Sequence, residues 1–186
     1  MSVAACKLLT YKGQYSPCHI KVPDVDTKLP AIKIDDHYYS LFRRFDSAEA
    51  AMKALGKLAQ QGDQLALTQK GDSYVMWALE PDAQVLERTK NSIEWPTCGP
   101  ALCLILGDAK QYHQCYVQTP DVIQPMVAVH HGDDFYSVYQ SGLDALASLE
   151  LAAKFTRRGN RSAIASTAKG YAVCLWEPEA SLRTSD

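Results

Sequence analysis

The sequence has 186 residues, 47% of them hydrophobic and 22% charged, with 10 Gly and 9 Pro. That is too apolar for a disordered chain and long enough for one average domain or two small ones. The formal net charge of −2 leaves no overall excess of cations, so nucleic-acid and membrane-surface binding find no support.

The chain opens on MSVAACKLLTYKGQY, which lacks the basic and apolar segments of a secretion signal, and no apolar run approaches the roughly 20 residues that cross a bilayer. A cytoplasmic location is expected. Ala4 to Tyr11 reads as a strand, Lys12-Gly13-Gln14 as a turn, and Cys18 to Val22 as a second short strand. A turn near residue 12 would set Cys6 opposite Cys18. Ala31 to Ile34, Asp35-Asp36 and Tyr38 to Phe45 read as a hairpin, because apolar and aromatic runs flank a short polar turn. Asp46-x-x-Glu49 is a variant of the capping box and predicts a helix start. Ala48, Ala51, Met52, Leu55 and Leu58 then follow the three-and-four spacing of one buried stripe, and Gly62 is placed to stop the helix. Gln64 to Thr68, the turn at Gly71-Asp72, and Tyr74 to Leu79 predict another hairpin, ended at Glu80-Pro81 because proline cannot donate to a ladder.

The rest of the chain restates these elements. Gln14-Tyr15-x-x-Cys18 returns as Gln111-Tyr112-x-x-Cys115, and Pro23-Asp24-Val25 as Pro120-Asp121-Val122, both 97 residues later. The same separation links Cys6 to Cys103, Tyr39-Ser40 to Tyr136-Ser137, Tyr74 to Tyr171 and Glu80-Pro81 to Glu177-Pro178, with no gap. This register predicts two tandem homologous α+β repeats, residues 1–85 and 101–186, joined by a Pro- and Gly-containing linker over 86–100. Each repeat is expected to be a mainly antiparallel sheet of about four to six strands with one helix on a face, the pair arranged as a pseudo-dimer. In the second helix Leu146, Leu151 and Ala153 replace Glu49, Ala54 and Gly56. Its wider apolar stripe calls for a second partner, either the other repeat or another protein, or for a deeper local core.

No dinucleotide, phosphate-loop, metalloprotease, nucleophile-elbow or calcium-loop signature occurs, so no catalytic residue and no cofactor is indicated. Three clusters remain. His130-His131-Gly132-Asp133-Asp134 offers His130 and Asp133 as metal ligands, against the plainer reading of a polar hairpin tip. Cys6, Cys18, Cys103 and Cys115 recur in register and could form thiol or soft-metal sites, or serve as small buried hydrophobes. Trp77 and Trp176, with Glu80 and Glu177 at predicted strand ends, form a repeated aromatic and acidic position suited to recognition or to ordinary packing. The expected function is a non-enzymatic interaction or regulatory module with another protein as partner, contacted through Leu146, Leu151, Trp77, Trp176, Glu80 and Glu177. The alternative is a small-ligand or thiol/metal-binding protein with its site in the groove between the repeats.

Overall fold

Alternation of buried and exposed residues over short, turn-bounded segments is what this chain mostly offers, and it folds accordingly into an α+β structure dominated by strands. The computed structural model describes residues 5–23, 25–59, 61, 64–86 and 97–183. The N-terminal half contains β1 (Ala5–Leu9), β2 (Ser16–Val22), β3 (Val25–Ile34), β4 (His37–Phe45), α1 (Ala48–Ala59), β5 (Leu65–Lys70), β6 (Ser73–Leu79) and β7 (Gln84–Val85). The C-terminal half contains β8 (Cys103–Leu106), β9 (His113–Thr119), β10 (Val122–His131), β11 (Asp134–Leu143), α2 (Ala145–Arg157), β12 (Ser162–Thr167), β13 (Gly170–Trp176) and β14 (Ser181–Leu182). Among the described residues no helix is long and apolar enough to cross a membrane.

All fourteen strands among the described residues belong to one mixed sheet, ordered β14-β9-β10-β11-β13-β12-β8-β1-β5-β6-β4-β3-β2-β7. Reading outward from the central β1–β8 pair, the strands met on the two sides begin 97 residues apart at every step but the first, where β8 starts one residue later. The β1–β5 and β8–β12 pairings are parallel, the others antiparallel.

The expected hairpin between β1 and β2 does not form. β1 lies between β5 and β8, with Cys6 opposite Cys103, whereas Cys18 on β2 is opposite Ala31 and Cys115 on β9 is opposite Ala128. The reason is burial. Cys6, Leu8 and Leu9 are all buried, so β1 needs cover on both faces and suits the sheet interior, while His19 and Lys21 of β2 are exposed and suit a strand near the edge. The helix cap also moves by one residue from the expected position. The Ser47 hydroxyl, rather than Asp46, accepts from the Ala50 N–H at 3.2 Å, and Asp144 does the same for Ala147 N–H at 2.8 Å in α2. Gly62, expected to end the first helix, lies outside the described residues, as does most of the expected linker.

Both helices pack on one face of the sheet, and each crosses the centre. α1 touches β8 as well as β4 and β6, and α2 touches β1 as well as β12 and β13. A single core therefore joins Cys6, Leu8, Met52 and Leu55 to Cys103, Ile105, Leu149 and Ala152. The opposite face carries two separate smaller clusters, one around Leu9, Ile32, Tyr39 and Trp77 and one around Leu106, Val129, Tyr136 and Cys174.

The sheet curls at both ends. Tyr112, which precedes β9, donates its hydroxyl to Ser166 O on β12 at 2.7 Å, although β10, β11 and β13 intervene. In a flat sheet those strands would be about 19 Å apart, four intervals of about 4.8 Å. In the N-terminal half Lys7 of β1 reaches Asp35 in the β3–β4 turn at 3.2 Å across β5 and β6. Asp35 also accepts from Gly99 N–H at 2.9 Å. Burial alone would raise its carboxyl, but the Gly99 N–H and the Lys7 ammonium outweigh that and hold it below its ordinary value.

Candidate functional site

Two concave sites arise from this arrangement, and each depends on small residues where the matching position of the other half is larger. The first lies at the junction of the halves, where the backbone of α1 at Gly56 meets the chain leaving β8 at Gly107. It is a cleft of about 260 Å³ with Lys53, Lys57 and Glu49 on its helical side and Ser166 and Tyr171 on its sheet side. The corresponding place under α2, lined by Thr10, Gln69, Tyr74 and Ala153, holds only about 20 Å³. Thr10, Gln69 and Ala153 stand 97 residues before or after Gly107, Ser166 and Gly56, so bulkier side chains fill that side.

The second site is larger and lies inside the curl of the C-terminal half, on the face away from the helices. It is a cavity of about 500 Å³ walled by Val127 and Val129 of β10, Val138 of β11, Ala165 of β12 and Ala172 of β13, with Tyr112 closing one side. Gln114, Ser141, Thr167 and Lys169 add polar groups. Burial raises the Tyr112 phenol, with neighbouring Cys174 adding to the shift, so the hydroxyl stays protonated and keeps its bond to Ser166 O.

The placement of tryptophan accounts for much of the space. On β6 Trp77 leans across its face and donates Nε1–H to Thr68 Oγ1 at 3.0 Å. The positions 97 residues on are Cys174 and Ala165, and Arg44 and Val75 are matched by Ser141 and Ala172. On β13 the tryptophan stands two residues further along, at Trp176, and so on the same face. There its Nε1–H donates to Asp134 Oδ1 at 2.9 Å, and Arg161 sits 4.3 Å above the ring. Aromatic bulk has moved to one end of the curl and left the other open.

A bulge completes the opening. The β4–β6 pairing shifts register once, but β11–β13 shifts twice, the second time between Gln140 and Leu143. Gly142, at φ +73°, occupies that irregularity, a conformation that costs glycine little. Leu143 thereby takes the place opposite Tyr171 that Phe45 takes opposite Tyr74, and Ser141 and Gly142 are left on the cavity rim.

Comparison with protein-family models, with curated proteins and with solved structures gives no match. The chemistry of the site must therefore be read from its own residues.

The residues singled out in the sequence are dispersed. Glu80 and Glu177 accept hydrogen bonds from Ser40 (2.6 Å) and Ser137 (2.5 Å) on the neighbouring strands, so both carboxylates are engaged inside the sheet. Leu146 is 46% exposed on α2, whereas Leu151 is half-buried against the shared core. His130 stacks on Phe135, with ring centroids 4.5 Å apart, and Asp133 lies in the exposed turn beyond it. Among the described residues no three His, Cys, Asp or Glu side chains converge as a metal would require.

The cysteines meet differently from the expectation, since Cys6 faces Cys103 across the centre rather than Cys18 within its own half. Burial pushes Cys6 well above the ordinary thiol range, with Cys103 adding to it, and pushes Cys103 and Cys174 up to about 12. The thiolate is the reactive form. Ellman's reagent at about pH 8 should therefore label exposed Cys98 rapidly and leave Cys6, Cys103 and Cys174 unmodified until denaturant is added. Peptide mapping of the labelled protein checks this, and fast native labelling at Cys6 or Cys103 would contradict it.

Proposed function

We propose that the chain is a non-enzymatic binding module built from a duplicated α+β unit, its two copies facing each other as a pseudo-dimer across β1 and β8. Its function is to hold a small molecule in the cavity of the C-terminal half. The constant separation of 97 residues and the matching strand order on either side of β1–β8 support the duplication. The observation that carries the binding reading is the cavity itself. Its volume of about 500 Å³ lies within the range of small-molecule sites, and its wall is apolar with a few polar groups at the rim. Ordinary packing would have closed it, as Trp77 does over Thr68 in the other copy.

Native mass spectrometry of the protein purified from its own cells tests this. Wild type should carry a bound small molecule, and Ser141→Trp, which places bulk at an exposed rim position without touching the core, should lose it while keeping the wild-type circular dichroism spectrum. Wild type that carries nothing, or a Ser141→Trp protein that carries the same species, would overturn the reading. A second reading, contact with another protein, rests on the exposure of Leu146 at a position where the other helix has Glu49. On that reading Leu146→Glu, and not Ser141→Trp, removes activity in the cell.

A further inference from the structure

We propose that the ligand of this cavity is an amphipathic anion, an apolar body ending in a single carboxylate or similarly charged group, with Lys169 taking the charge. This inference rests on the reading of the cavity as a binding site.

Of the described residues that line the cavity, Lys169 alone carries a formal charge, and none is a carboxylate. Among the described residues no acid pairs with Lys169. The turn that bears Lys169 is held in place, because its backbone N–H donates to Thr167 Oγ1 at 3.3 Å and the Thr167 hydroxyl donates to Gly170 O at 3.0 Å. The position 97 residues earlier is Asp72, so the sign at this turn is opposite in the half whose curl is occupied by Trp77.

The remaining groups fix which end of a ligand goes where. The Tyr112 hydroxyl is already committed to Ser166 O, so the deep side offers valine and alanine walls and no spare donor from that phenol. Ser141 and Gln114 stand with Lys169 in the polar part of the lining and can donate to a charged head, whereas the Thr167 hydroxyl is committed to Gly170 O. A nucleotide or other polyanion would bring several charges to a site with one cation and would have no partner for its polar surface along the valines. A cationic amphiphile would set its head against Lys169. An amphipathic monoanion satisfies both ends.

The test is isothermal titration of the intact protein with decanoate, decanol and decylamine at about neutral pH, on wild type, Lys169→Glu and Ser141→Trp. Decanoate should bind wild type more tightly than decylamine, and Lys169→Glu should weaken decanoate by roughly five- to tenfold or more, the scale of one partly solvated charge contact, while leaving decanol nearly unchanged. Equal decanoate affinity in wild type and Lys169→Glu, or decylamine binding as well as decanoate to wild type, would overturn the anion assignment and leave the cavity as a site for other ligands. If Ser141→Trp binds all three as wild type does, or if wild type binds none, the cavity reading falls together with it.

Discussion

Leu55→Ala is expected to lower the unfolding free energy of the whole chain by about 2–5 kcal/mol, in one transition rather than two. Leu55 is fully buried in α1, and the core around it contains Cys103, Ile105, Ala152 and Ile164 as well as residues of its own half. Removing its branched end leaves a void that cannot be refilled from one side, because the sheet beneath is continuous from β5 through β1 and β8 to β12. The measurement is urea unfolding followed by far-UV circular dichroism and by tryptophan fluorescence. Coincident curves displaced to lower urea are expected, since neither half can lose this core alone. Two separated transitions, with the C-terminal half unaffected, would show that the helices do not bind the halves into one cooperative unit.

That cooperativity marks where sequence reading stops. The helix at Ala48–Ala59, the turn at Asp35-Asp36 and the hairpin from Leu65 to Leu79 follow from local patterns, and all three are present. The partners of β1 do not follow from any local pattern. A strand buried on both faces says only that it is interior, and whether β2, β5 or β8 lies beside it depends on contacts far along the chain. The Cys6–Cys18 pairing fails for that reason. Glu80 and Glu177 recur at strand ends, which is equally what a recognition site and a Ser–Glu bond within the sheet would show, and each accepts from a serine.

The cavity is partly legible once the faces are known. Trp77 against Cys174, Thr68 against Ala165 and Arg44 against Ser141 are visible in the two halves of the sequence. They mean lost volume only after β6 and β13 are known to turn these positions into a curl. Gly142 is hidden for a further reason, because the gapless comparison sets it against Phe45 although Leu143 is the residue opposite Tyr171. Lys169 carries no motif. The role proposed for it comes from the absence of other charges among the described lining residues, which spacing along the chain does not encode.

Gly107→Ala is expected to cost about 1–3 kcal/mol, the range of overpacked positions, although Gly107 is not in a conformation reserved for glycine. A Cβ there would lie 2.6 Å from Gly56 Cα and 2.9 Å from Gly56 O. Those are backbone atoms of α1, so relief requires moving the helix away from β8, and with it Met52 and Leu55 out of the common core. The reverse exchange is not equivalent. A Cβ on Gly56 would stand 3.4 Å from Gly107 Cα, an ordinary contact, and alanine in place of a helical glycine contributes about 0.8–1 kcal/mol of propensity. Gly56→Ala should therefore leave stability unchanged or raise it, as fits Ala153 at the matching position of α2. Thermal and urea midpoints of the two single variants and the double variant measure the difference, and the double should be worse than the sum because the two methyl groups compete for one gap. Equal stability of Gly107→Ala and wild type would mean that α1 does not rest against the strand of the other half, and the shared core invoked for Leu55 would lose its basis.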